Sequence, residues 1–318
     1  MPTEIVVAAT ALVASLSLTP AALRLALHFG VVDLPGPRKI HAAPMPLLGG
    51  LAIYAATCLG VLVFAAQLGG DARPQIVGVL AAATLLVLVG SLDDRGVLHH
   101  QVKLFAGMPA AALILLAVDI RAQVFVPLLG AAPMWAAADT ALTIFWVVGI
   151  TAAFSILDYM DGLCAGIAAI AAAGFTLLAI TGGQVLVGIL AAAVLGAAAG
   201  FVTWNYNPAR VFMGDGGAMF LGFMMATLGL KVRLPELPAA TAALVPVLLL
   251  AVPILDTTLV TITRTRRGVL PFSSPGKDHV GHRLVDYGFT QRRAVNLMYA
   301  AACLAALTAI VSAGVIGQ

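Results

Sequence analysis

Charge is scarce in this sequence. Asp, Glu, Lys and Arg make up 10% of its 318 residues, against about a quarter in soluble domains, while hydrophobic residues reach 61%. With a mean hydropathy of +1.04, the composition excludes a soluble core wrapped in a charged surface and indicates a polytopic membrane protein. Cysteine is scarcer still. Cys58, Cys164 and Cys303 stand singly in apolar segments, so neither a disulfide framework nor a zinc site is encoded and the three read as packing residues. A net charge of +3, carried by dispersed cations, excludes a nucleic-acid binder. Long polar linkers are missing too, which leaves one transmembrane domain over residues 1–318 as the expected organisation.

What the chain has in quantity is apolar runs. A spanning helix needs roughly 20 mostly apolar residues, and ten runs qualify: 5–29, 47–68, 75–92, 101–118, 138–157, 163–181, 184–203, 212–230, 237–262 and 294–316. The expected fold is therefore all-α, a bundle of about ten transmembrane helices. The first run lacks the positive leader of a signal peptide and reads as a retained span. Residues 119–137 are too broken by Pro and Gly to cross and read as an interfacial hairpin.

Ten crossings divide the loops between two faces. One face collects twelve cations: Arg38, Lys39, Arg95, Lys103, Arg210, Arg264, Arg266, Arg267, Lys277, Arg283, Arg292 and Arg293. The other has only Arg73, Arg121, Lys231 and Arg233. The positive-inside rule makes the first face cytoplasmic and places both termini outside. That same face also holds Asp33, Asp93, Asp94, Asp158, Asp161, Asp215, Asp278 and Asp286. Orientation does not require them, since carboxylates contribute little to topology.

An Asp inside a span costs about 2.5–3.5 kcal/mol on insertion scales, so functional use is the default hypothesis; the plain alternative is helix capping at the water boundary. In DYMDG the two acids, Asp158 and Asp161, stand three apart and would share a face if the segment were helical. In NPARVFMGDGG, glycines flank Asp215 at the mouth of a span. Glycine admits close backbone approach, and a helix N-terminus offers N–H groups to phosphate. Hard oxygen ligands with few histidines favour magnesium held partly by substrate phosphates, and manganese could replace it. Asp93, Asp94, Asp158, Asp161 and Asp215 thus suggest metal-assisted phosphoryl transfer, with Arg210 a natural phosphate partner.

Six segments in order, DLPGPRKIHAAPMPLLGG (33–50), SLDDRGVLHHQVKL (91–104), FSILDYMDGLCAG (154–166), WNYNPARVFMGDGGAMFLG (204–222), PILDTTLVTITR (253–264) and PFSSPGKDHVGHRLVDYGFTQRRAV (271–295), carry a resemblance. The chain resembles the polyprenyl-phosphate N-acetylhexosamine-1-phosphate transferases along nearly its whole length. The resemblance implies transfer of a sugar 1-phosphate from a UDP-sugar to polyprenyl phosphate in the plasma membrane, with UMP released and magnesium required. It implies that the Asp93–Asp94 pair activates the lipid phosphate, with Asp94 also near the metal, that Asp215 binds metal, and that Asp158 and Asp161 match the acids of a DGxDG-like motif. Lys39 and His41 match an RKxH segment, and Asn207, Arg210, His279, His282 and Arg283 fall at substrate contacts.

Two departures stand out. Where the family has asparagines three and six residues before the first acid of the motif, this chain has Ser155 and Ala152. The last loop of the family reads DxxHxHH or DxxHxHR, and here Gly281 replaces the middle histidine. A secondary transporter and an inactive membrane scaffold are the alternatives to an enzyme, and a homodimer is compatible with the sequence. His28, His99 and His100 read as polar helix ends and bystanders; Asp256 is left open between a buried site member and a structural group.

Overall fold

The computed structural model describes residues 3–35, 43–65, 69–70, 72–98, 100–269 and 276–315. Helices dominate. From the N-terminus they are α1 (Thr3–His28), α2 (Gly49–Ala65) and α3 (Ala72–Asp94), then the short α4 (His100–Val102), which runs through a π-helical turn, Lys103–Gly107, into α5 (Met108–Ala117). A five-residue α6 (Phe125–Leu129) precedes α7 (Pro133–Leu157), α8 (Leu163–Thr181), α9 (Val185–Asn205) and α10 (Gly214–Lys231). The chain closes with α11 (Ala239–Leu249), α12 (Ala251–Arg266), the short α13 (Val280–Asp286) and α14 (Gln291–Ser312). Two dipeptide strands, β1 (Val32–Asp33) and β2 (Met45–Pro46), pair antiparallel.

Each of the ten predicted runs coincides with a helix or a consecutive set of helices. Six are long and apolar enough to span: α1, α3, α7, α8, α9 and α14. A seventh is the pair α11 and α12, bent by 79° within the run expected to be one straight span. The break falls at Leu250, three residues before Pro253, whose ring clashes with the carbonyl of the preceding turn and which has no N–H to donate. It turns α12 so that Asp256 is carried into the interior. Two helical segments, Gly49–Phe64 and Lys103–Ala117, are apolar but shorter, and α10 completes the set of ten.

Lipid cannot drive helices together by the hydrophobic effect, so close packing of small residues does. Gly196 and Gly200 show it on α9: a Cβ at Gly196 would strike the Ala8 carbonyl of α1, and Ser15 of α1 donates 2.7 Å to the Ala197 carbonyl. The centre of the bundle is α8, α9 and α10. Nearly every residue of α10 from Gly216 to Leu230 is buried, whereas only 28% of the spanning window of α1 is.

Contacts sort the helix ends into two groups. At one end Glu4 lies against Gly188, and Gln184 exchanges hydrogen bonds of 2.7 and 2.8 Å with the Arg233 backbone. Of the 119–137 segment, Phe125–Leu129 forms α6 and Pro133 already opens the spanning helix α7, so the expected interfacial hairpin is shorter than its predicted bounds; Phe125 stacks on Trp135 at 6.3 Å. At the other end gather the C-termini of α3, α7 and α9, the N-termini of α10 and α14, and the loops between them. This second end holds the predicted acids.

Candidate functional site

Lys103 is the hub of the acidic end. Its Nζ lies 2.8 Å from an Asp93 oxygen and 2.5 Å from an Asp215 oxygen, so one ammonium joins the end of α3 to the start of α10. The other Asp215 oxygen accepts 2.8 Å from Ser155 Oγ. Asp94 turns toward α10 and accepts from the backbone N–H groups of Asp215 at 2.8 Å and Gly216 at 3.4 Å. The predicted free helix N-terminus is thus already met by a carboxylate, which complements its partial positive charge. Nor do the glycines flanking Asp215 face an open ligand site. Gly216 packs on Gly90 of α3 and Gly217 on Gly50 of α2, so closely that a Cβ at Gly90 or Gly50 would collide with the α10 backbone.

Asp158, one residue past the end of α7, completes the cluster. Its carboxyl is held up to about 8 by burial first, then by the fields of Asp215, Asp94 and Asp161. No hydrogen bond to it is found among the described residues. Of the four carboxylates Asp93, Asp94, Asp158 and Asp215, only Asp93 and Asp215 bind the Lys103 ammonium among the described residues.

Asp161 is differently employed. Residues 158–162 form a turn, not helix, so three-residue spacing does not put both acids on one face. Asp161 Oδ2 accepts from Asn207 Nδ2 at 2.9 Å and from the Ala209 N–H at 3.0 Å, which pins the loop after α9. Asn207 also donates 3.1 Å to Gln291, and its carbonyl accepts 2.7 Å from Arg292. Arg210, further along the loop, is exposed and lies 5.7 Å from the Trp204 ring centre.

The last loop supplies a second polar group. His279 Nδ1 lies 2.8 Å from Asp256 Oδ2, and the other oxygen of Asp256 accepts 2.7 Å from the Val280 N–H. His282 has a buried Nδ1 without a partner among the described residues; burial first, then His279 and Lys277, depress its basicity. Arg283 is bound to the Asp278 carbonyl at 3.2 Å and to Thr263 at 3.0 Å. Lys39 and His41 lie outside the described residues.

The sequence did not indicate Lys103 and Ser155 as parts of these networks, and Asp256, left open there, is buried and holds His279 and the Val280 N–H. Lys103 had a signal: a lone cation opening an apolar run is costly unless it is used. Ser155 shows that the first departure keeps a hydrogen bond to Asp215.

The ligand chemistry suits a hard divalent cation. Every donor in the cluster is a carboxylate oxygen, and Asp158 is buried without a counter-ion among the described residues. No group of three His, Cys, Asp or Glu ligands is preformed among the described residues; magnesium commonly takes one or two carboxylates and the rest of its ligands from phosphates and water.

Comparison with known proteins decides the family. The model of glycosyl transferase family 4 matches residues 76–233. A Bacillus subtilis relative, a probable undecaprenyl-phosphate N-acetylglucosaminyl 1-phosphate transferase, is 33% identical over 297 residues, covering 93% of this chain and 81% of its own. The chain belongs to glycosyl transferase family 4. Two further relatives are a Mycolicibacterium smegmatis decaprenyl-phosphate N-acetylglucosaminephosphotransferase, 33% identical over 86% of this chain and 73% of its own, and the Escherichia coli K12 undecaprenyl-phosphate alpha-N-acetylglucosaminyl 1-phosphate transferase, 30% identical over 90% and 77%. The family match spans Asp93, Asp94, Lys103, Asp158, Asp161 and Asp215.

Proposed function

We propose that this protein transfers an N-acetylhexosamine 1-phosphate from a UDP-sugar to polyprenyl phosphate, releasing UMP, as the first membrane step of a cell-envelope glycan. The observation that carries the reading is the cluster of Asp93, Asp94, Asp158 and Asp215 at one end of an apolar bundle, with Lys103 bridging Asp93 and Asp215. Transporter sites tend to lie at the bilayer midplane. A site at the rim is where a soluble nucleotide and an insoluble acceptor meet. The excess of Lys and Arg on this rim supports a cytoplasmic site, as ten crossings with both termini outside would give.

In the reaction an oxygen of the lipid phosphate attacks the β-phosphorus of the UDP-sugar. The new P–O bond forms as the bond to the bridging oxygen breaks, and the departing electron pair leaves with UMP. Asp93 takes the remaining proton of the lipid phosphate. Lys103 fixes Asp93 and Asp215 relative to each other and offsets part of the charge that builds between the phosphates. Asp94 holds the N-terminus of α10 in place, and Asp161 anchors the loop that carries Arg210. His279 and His282 face the donor. Magnesium, or manganese in its place, would be held by Asp215 and Asp158 with Asp94 beside it, and supplies charge neutralisation on the diphosphate.

The test is a panel assay of purified protein in lipid nanodiscs with undecaprenyl phosphate, magnesium and several UDP-sugars, UDP-N-acetylglucosamine among them. UMP release matched by lipid-linked product is expected. Absence of both across the panel overturns the reading, and solute flux without nucleotide turnover replaces it with transport.

A further inference from the structure

Gly281 leaves a gap that another residue fills. A Cβ placed on it would lie 2.8 Å from the Tyr159 hydroxyl oxygen, 2.9 Å from Tyr159 Cε2 and 2.9 Å from Met160 Sδ, distances that carbon contacts do not tolerate. The Tyr159 hydroxyl instead accepts the Gly281 N–H at 3.0 Å. Its ring stacks on His279, with centroids 4.1 Å apart and planes at 27°, and lies 4.9 Å from the His282 ring. Asp256 holds the Val280 N–H and His279 Nδ1. The first two N–H groups of α13, which a helix cannot satisfy itself, are thus both held by side chains. Tyr159 follows directly after Asp158, so a single peptide bond links the carboxylate cluster to the two histidines.

From this arrangement we infer that Tyr159 and Gly281 are a size-matched pair through which Tyr159 acts as a positioning residue, setting His279 and His282 for the sugar-nucleotide donor. The inference deepens the function proposed above and rests on it. Tyr159 supplies the wall that a side chain at 281 would otherwise build. Bulk at one position therefore demands its absence at the other. His282 Nδ1 is buried and unpartnered among the described residues, so the donor would meet this ring on its other nitrogen, whose direction the Tyr159 contact sets.

The experiment is a double-mutant cycle in nanodiscs, reading KM for UDP-N-acetylglucosamine, kcat and thermal midpoint. Tyr159→Gly and Gly281→His are each expected to raise KM by about 30-fold while kcat falls by less than about 5-fold. The double variant is expected to return KM to within about 3-fold of wild type, a coupling that independent sites do not show. Tyr159→Phe, which keeps the ring and loses the acceptor for the Gly281 N–H, should raise KM by about 3-fold; it guards against misfolding of the bulkier changes. An unchanged KM in Tyr159→Gly, or additive losses in the double variant, overturns the pairing. A wild type that turns over no UDP-sugar overturns the functional reading instead. The thermal cycle then judges the steric pair alone: Gly281→His must lower the midpoint when Tyr159 is present and spare it in the Tyr159→Gly background.

Discussion

Two aspartates at opposite ends of the bundle are treated in opposite ways. Asp139, on α7 near the end away from the site, is 3% exposed and accepts from three backbone N–H groups, those of Val124, Phe125 and Val126, at 2.9–3.1 Å. Its carboxylate caps α6 and needs nothing more. Asp158, at the other end, has three acids as neighbours and no hydrogen bond among the described residues. Burial of a carboxylate alone does not mark a functional site. A buried carboxylate whose hydrogen bonds are not supplied does, because desolvating it is costly without a ligand to compensate.

The sharpest break of that comparison is Asp215→Asn. Loss of one negative charge beside Lys103 is expected to cut kcat by about 10³-fold while the protein still folds, since Ser155 and Lys103 can rotate to other partners. Asp93→Asn should lower kcat strongly with KM for the donor little changed, the pattern of an interaction made in the transition state. Asp94→Asn retains an acceptor oxygen for the Asp215 N–H, so its stability should hold while its kcat falls. Wild-type kcat in UMP-release assays of all three variants would leave the acidic end no different in kind from Asp139.

The complementary change is Asp139→Ala, where the loss should appear in stability and not in turnover. Three buried N–H groups lose their acceptor, a cost of about 3 kcal/mol, read as a lower thermal midpoint. Turnover per folded molecule should stay within about 2-fold of wild type, because the hairpin lies at the far end of the bundle, beyond the reach of sites that share partners. A fall in kcat at full folding would mean that the two ends are coupled.

Apolar length was legible because it is written locally, and all ten runs match helices. The 79° bend was half legible: Pro253 announces a break, but its angle depends on what α12 packs against. The motif acids stood out as charge in an apolar chain. Their partners did not. Lys103 meets Asp215 across 112 residues and Asp139 meets its N–H groups 13 to 15 residues back, and no spacing rule connects such pairs. Asp158 and Asp161 would converge only on a helix; the turn at 158–162, with Gly162 at φ +79°, separates their tasks.

Asp161 supplies an intermediate case. It belongs to the acidic end by sequence, yet it is satisfied by Asn207 and Ala209 much as Asp139 is by its hairpin. Asp161→Asn keeps an acceptor oxygen and should retain activity to within about 10-fold, whereas Asp161→Ala frees the loop that carries Arg210 and should cost more. Kinetics as poor for Asp161→Asn as for Asp215→Asn would move Asp161 into the reacting group.

The smallest expected effect tests Asp158 as a proton carrier in the metal-free protein. Its folded value of about 8 stands above the ordinary 3.8, so between these limits the folded protein holds a proton that the unfolded chain has released. Stability must then decline as pH rises through that window and level off above it. The contribution is fully present below 3.8 and lost through about 8. In the Asp158→Asn variant the amide cannot titrate, while every other group remains, so the difference between the two pH profiles isolates this carboxyl. In EDTA the wild-type midpoint should fall by about 2–4 °C more than that of Asp158→Asn between about pH 5.5 and 8.5. Added magnesium should restore the wild type at the alkaline end of that range and raise the variant less, since the variant keeps Asp94 and Asp215 but lacks the ionised carboxylate at 158. Superimposable profiles in EDTA would show that Asp158 is as well compensated as Asp139, and the contrast between the two ends of the bundle would lose its physical basis.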